Sequence, residues 1–186
     1  MFEDLLGRIA RELKRADMPY MIIGGQAVLY YGTPRMTKDI DITLGADIGR
    51  LEGLLPALAA MGLEIIPKDF RSFAEKTSVL PSKDKGSGIR VDFIFSFTPY
   101  ERQAISRSRA VSLGGTAVMF ATAEDVIIHK IFAGRPRDLE DVRSILIKNP
   151  DLDTPYMRRW LSEFEKSPEK KGLIEIFEEI LTGQEM

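Results

Sequence analysis

The chain has 186 residues, 44% hydrophobic and 29% charged, which supports one compact domain, bare or with a helical tail, and excludes intrinsic disorder. Lys and Arg number 26 against 28 Asp and Glu, a formal net charge of -2, so no global basic field recruits nucleic acid. Zero cysteines and one histidine, His129, exclude disulfides, thiolate metal sites and cysteine nucleophiles, serve zinc poorly, and fit a reducing cytoplasm.

Phe2, Leu5, Leu6, Ile9, Ala10 and Leu13 recur at helical spacing among charged residues, predicting an amphipathic helix over residues 2–16 that Pro19 ends. This opening lacks the apolar segment of a signal peptide, so a cytoplasmic protein is expected. Tyr20 to Ile23 reads as a short strand, Gly24 and Gly25 as a turn, and Gln26 to Tyr31 as a short helix stopped by Gly32. After the loop TPRMT, the run KDIDITLG alternates carboxylate and isoleucine. Asp39 and Asp41 then share one face of a strand, with Ile40 and Ile42 on the other.

Asp47 is a cap for a helix over Gly49 to Met61, in which Pro56 makes a kink or opens a second helix. The longest uncharged apolar run, Gly53 to Leu63, is too short for a membrane span of roughly 18 residues. Ser72 to Leu80 and Ile89 to Phe97 read as strands flanking the turn PSKDKGSG, and a hairpin folds about Gly114 and Gly115. From Thr122 onward the pattern turns helical. Thr122 and Asp125 form a capping box, Asp138 is a cap for the next helix, and two more start at Thr154 and Ser167, each followed by Pro. The expected class is α+β: a mixed or antiparallel sheet flanked by helices, with a core over residues 1–121 and helices over 122–186 packed on it as one compact domain.

Asp39 and Asp41 lie about 7 Å apart along their strand, and Asp92, in RVDFIFSF, offers a third strand carboxylate. Three such charges on one face repel by roughly 2 kcal/mol per pair at an effective dielectric near 20, which calls for a cation. All-oxygen ligands suit Mg²⁺ or Mn²⁺, and the cargo suited to such ions is a phosphate. The bland alternative is a solvated edge strand whose carboxylates discourage aggregation. Gly24 and Gly25, about 14 residues upstream, allow backbone N–H groups to approach a phosphate closely.

Together, IGGQAVLYYG, RMTKDIDI and VDFIF resemble the signature of the DNA polymerase β-like nucleotidyltransferase superfamily. More narrowly, Arg35, Thr37, Asp39 and Asp41 form an R-x-T-x-D-I-D pattern similar to that of AbiEii-type abortive-infection toxins and their single-domain relatives. The segment AEDVIIHKIFAGRPRDLEDV is similar to the same family over Lys130, Arg135, Arg137, Asp138 and Asp141. The resemblance covers roughly residues 5–147; larger family members continue into an extended helical domain.

It implies a nucleotidyltransferase that moves a nucleoside monophosphate from an NTP to an acceptor hydroxyl and releases pyrophosphate. Asp39, Asp41 and Asp92 are the implied catalytic and metal-binding residues. Gly24, Gly25, Arg35, Thr37, Lys130 and Asp138 are the implied substrate-binding ones, with Lys130 on the helix side opposite the stripe Ile127, Ile128, Ile131 and Phe132. The implied partners are an NTP with Mg²⁺ or Mn²⁺, an acceptor that is RNA such as a tRNA 3′ end, a protein or a small molecule, and an antitoxin. A silent nucleotidyltransferase fold serving as a binding module is the alternative, and phosphoryl transfer a third.

Overall fold

The computed structural model describes residues 2–183; the last three residues of the expected helical segment, 184–186, lie outside them. Backbone contacts divide the chain into two units, one containing residues up to Gln26 with Thr37–Ala121, the other Ala27–Met36 with the chain from Thr122 onward.

The first unit is built on a seven-stranded mixed sheet. In chain order it contains α1 (Phe2–Arg15), β1 (Tyr20–Ile23), the start of α2 (Gly24–Tyr31), β2 (Asp39–Leu44), α3 (Leu51–Met61), β3 (Leu63–Ile65), α4 (Phe70–Thr77), β4 (Val79–Asp84), β5 (Arg90–Phe95), α5 (Pro99–Arg107), β6 (Arg109–Leu113) and β7 (Thr116–Phe120). The strand order is β3-β4-β5-β2-β1-β7-β6. Two pairings, β2 with β5 and β1 with β7, are parallel, and the rest are antiparallel. One sheet face is apolar because the strands alternate: Ile40 and Ile42 on β2 and Val91 and Phe93 on β5 are fully buried. Leu5, Ile9 and Leu13 supply the buried stripe of α1, at the helical spacing expected of them.

Several sequence expectations change here. The run from Ser72 to Leu80 is not one strand but the end of α4 followed by β4. Phe70, Phe73, Ala74 and Thr77 hold helical spacing, and Ser78 ends the helix in the left-handed region at φ 56°. The predicted turn shrinks to residues 85–87, since Pro81 to Asp84 belong to β4. Strand β3 and helix α5 were not expected; α5 is started by Thr98, whose hydroxyl accepts from the Glu101 N–H, and by Pro99 at its first position. Asp47 caps a single 3-10 turn over Ile48–Arg50, and α3 then continues past Pro56 as one helix. The hairpin turns at Gly114 and Gly115 as expected, both at positive φ, 52° and 77°.

The second unit holds the rest of α2 and α6 (Ala123–Ala133), α7 (Pro136–Lys148), α8 (Thr154–Phe164) and α9 (Leu173–Leu181). Its core includes Ile127, Ile128, Ile131, Val142, Ile145, Met157, Leu161 and Phe177. Thr122 and Asp125 form the expected reciprocal cap: Thr122 Oγ1 accepts from the Asp125 N–H and donates to its carboxylate at 2.7 Å. The expected helix start at Ser167 is instead a turn, closed by Lys170 N–H to Ser167 O at 3.1 Å. Gly172, left-handed at φ 77°, precedes α9 and sets its start six residues later than expected.

Candidate active site

Strands β2 and β5 lie side by side in the middle of the sheet, in a register that pairs Asp39 with Arg90 and Asp41 with Asp92. Residues paired across neighbouring strands point to the same face, as do residues two apart on one strand. Asp39, Asp41 and Asp92 therefore share a face, opposite the buried Ile40, Ile42, Val91 and Phe93. All three aspartates are half-buried.

Gly24 and Gly25, expected as a turn before the helix, are instead the first two residues of α2, and this glycine bend is packed directly against the face. Gly24 adopts φ +63°, and a Cβ added to it would lie 2.0 Å from Asp41 Oδ2 and 2.8 Å from Asp41 Cγ. Only glycine places its backbone so close to the carboxylate. At Gly25 an added Cβ would meet Thr37 Cβ and Oγ1 at 2.9 Å. Thr37 in turn donates its hydroxyl to the Asp39 carbonyl at 3.0 Å. Its observed contacts fasten the turn to the start of β2.

Arg90 completes the face, and the sequence reading overlooked it. It lies two residues before Asp92 on the same strand, a spacing that signals a shared face. Its Nε donates to both Asp92 oxygens, at 2.8 and 3.1 Å. The Asp92 hydrogen bond, then the charges of Asp92, Asp39 and Asp41, hold the guanidinium above its ordinary value, so one cation answers all three carboxylates. Register continues the row outward through Lys83 on β4 to Glu64 on β3.

Among the described residues, no three His, Cys, Asp or Glu side chains are gathered as a ready metal cage. The donor set nevertheless suits a hard divalent cation: carboxylate oxygens on one face, with no competing sulfur or imidazole. Asp92 would have to leave Arg90 to join such a set, and that pair is inexpensive to part, because the Arg90 side chain is 53% exposed.

The remaining predicted residues meet in the second unit. Lys130 Nζ donates to Asp138 Oδ1 at 2.7 Å and contacts Asp141 Oδ2 at 2.9 Å. Arg35 grips Asp141 with two parallel bonds of 2.9 Å, and Arg135 binds Asp138. Burial works to raise both carboxyls; hydrogen bonds from Arg135 and Lys130 to Asp138, and from Arg35 and Lys130 to Asp141, outweigh it and hold each below the usual aspartate value. Two expectations are corrected. Lys130 does not lie on an open side of α6: it is 7% exposed and Val126 is 1% exposed, while Phe132, assigned to the apolar stripe, is 40% exposed. Asp138 is not the cap of α7 either, since Arg135 holds that position and the Asp138 carboxylate is spent on cations.

Among solved structures, the fold is similar to an antigenic nucleotidyltransferase-like protein from Paracoccidioides brasiliensis, with 15% identity, TM-score 0.58, and coverage of 94% of this chain and 92% of that one. It is also similar to ANT(2")-Ia in complex with adenylyl-2"-tobramycin, with 16% identity, TM-score 0.57, and coverage of 88% and 97%. No curated protein matches the chain. Among the described residues, no helix is long and apolar enough to cross a membrane. The family model for the nucleotidyl transferase AbiEii toxin of type IV toxin–antitoxin systems matches residues 5–184, extending the resemblance well past residue 147 into the last helices. The chain belongs to this AbiEii family and is a nucleotidyltransferase.

Proposed function

We propose that the protein transfers a nucleoside monophosphate from an NTP to an acceptor hydroxyl, using the face formed by Asp39, Asp41 and Asp92. The observation that carries this is the β2–β5 register, which pairs Asp41 with Asp92 beside Asp39, with Gly24 seated against the Asp41 carboxylate. Asp39, Asp41 and Asp92 would hold Mg²⁺ or Mn²⁺, which when bound supplies Lewis-acid activation and neutralises charge on the departing pyrophosphate.

The chain's own groups do the rest. The acceptor oxygen attacks the α-phosphorus, the bond to the β-phosphate oxygen breaks, and pyrophosphate leaves. The acceptor proton passes to the Asp92 carboxylate, acting as general base. Backbone N–H groups of Gly24 and Gly25 approach the phosphates, a placement supported by the absence of side chains there, and Thr37 holds that turn in place. For Arg35, Lys130 and Asp138 we propose a phosphate-directed role within the second unit. Lys130 carries three donor hydrogens and contacts two carboxylates, and Asp138 orients it.

An RNA 3′ end is the acceptor we favour, in the cytoplasm; a toxin role opposed by an antitoxin is the setting, and family membership supports that toxin role. The test is incubation with each α-labelled NTP, Mg²⁺ and total tRNA, following label transfer and pyrophosphate release. Label should enter RNA with the parent and be lost with Asp41→Asn. Transfer by Asp41→Asn at the parental rate would dismiss the assignment.

A further inference from the structure

We infer that Arg90 is a tethered counter-ion that occupies the carboxylate face when no metal is there and must be displaced for a divalent cation to enter. The inference rests on the carboxylate assignment above and adds a residue to it.

Three observations support it. First, register puts Arg90 opposite Asp39 and two residues before Asp92, within the square of side chains that also contains Asp41. Second, its guanidinium binds both oxygens of Asp92, at 2.8 and 3.1 Å. Third, the side chain is 53% exposed against 17% for Asp92. The cation therefore sits at the rim, and the carboxylate is the more enclosed partner.

Three carboxylates on one face repel one another, and a guanidinium placed among them relieves part of that repulsion. The same relief opposes metal. A divalent ion taking Asp92 as a ligand has to break the Arg90 bonds and then bear the presence of a nearby positive charge. Lys83 is the neighbouring cation on this face, Glu64 the neighbouring anion. Lys83 lies one strand further from the aspartates, so it contributes field without contact. The consequence is a face whose affinity for bare divalent ions is deliberately low, favouring entry of the ion together with a triphosphate that brings its own negative charge.

Titration of Mn²⁺ alone into the full chain, followed by electron paramagnetic resonance of the free ion, tests this without reference to activity. Arg90→Gln should bind Mn²⁺ about fivefold more tightly than the parent, equivalent to about 1 kcal/mol. Arg90→Lys should remain within about twofold of the parent, and so should Lys83→Gln, which removes the same charge from beyond contact. Equal Mn²⁺ affinity for the parent and Arg90→Gln overturns the counter-ion role and leaves the carboxylate site standing. Weaker binding by Arg90→Gln overturns it in favour of a carboxylate-positioning role. A Lys83→Gln gain matching that of Arg90→Gln reduces the effect to general field and also overturns it. No Mn²⁺ bound by any of the four proteins removes the metal site itself, and the inference with it.

Discussion

Replacing Gly24 by alanine separates two costs that the same substitution usually confounds. At φ +63° an alanine pays left-handed strain of about 1–2 kcal/mol. In addition, its Cβ would fall 2.0 Å from Asp41 Oδ2. To recover ordinary contact the carboxylate must retreat by about 1.4 Å, and a displacement of about 1 Å at a reacting group costs about 100-fold in rate. Gly114 provides the control: at φ +52° it pays similar strain, yet an added Cβ meets nothing within 4 Å. Gly114→Ala should lose about 1–2 kcal/mol in urea unfolding, and Gly24→Ala at least as much, since it must also relieve the contact with Asp41. Only Gly24→Ala should lose nucleotide transfer, by about 100-fold at equal folded fraction, together with Mn²⁺ affinity. Parental transfer by folded Gly24→Ala would refute the close approach of turn and carboxylate as a functional requirement.

Other consequences are equally direct. Lys130→Ala leaves Asp138 and Asp141 short of a buried cation, and urea unfolding should show a loss of about 3 kcal/mol; a loss below about 0.5 kcal/mol would contradict the buried pairing. Asp84, like Asp138 and Asp141, has a lowered carboxyl: burial opposes this, but hydrogen bonds from Ser87 and Arg8 prevail. For each of the three the folded state binds its proton less readily than the unfolded chain does, so their contribution is complete above the unfolded value near pH 4 and disappears as pH falls through the lowered ones. Unfolding free energy against pH should therefore be flat through these groups' range above about pH 5 and fall below pH 4, and Asp84→Asn should flatten that acid limb. Tyr156→Phe removes a 2.7 Å hydrogen bond to the buried Asp125 carboxylate and should cost about 1–3 kcal/mol in thermal or urea unfolding; an unchanged midpoint would show that the bond carries nothing.

What the sequence made legible was local. Alternation in KDIDITLG placed Asp39 and Asp41 on one face because a strand has a period of two, and the Gly-Gly turn was visible because few residues tolerate such a bend. Pairing between strands about 50 residues apart leaves no trace in either segment, so the partnership of Asp41 with Asp92 was available only from the family resemblance and not from spacing. Arg90 was missed for a simpler reason: a basic residue in an alternating strand looks like a solvated side chain until register puts it among aspartates. At Lys130 periodicity misled, because α6 is buried on more than one side and its charged residue is neutralised by α7 rather than exposed. Helix α4 was merged with β4 in the run SFAEKTSVL, because Phe73, Thr77 and Val79 favour strands and hid a boundary that Ala74, Glu75 and Lys76, good helix formers, put at Ser78.

The parallel pairing of β2 with β5 also dictates when, during synthesis, chemistry becomes available. Bringing these segments together closes a loop of about 50 residues, an entropic cost of about 3.5 kcal/mol before any constant, repaid only once the strand carrying Asp92 has emerged. A nascent chain that stops short of Arg90 carries the glycine bend and two aspartates but lacks Asp92, the base we propose for the acceptor proton, and it leaves one side of β2 with open hydrogen-bonding groups. On the proposed assignment, premature termination yields an inert, adhesive fragment rather than a partial enzyme, and activity waits until the middle of the sheet has closed.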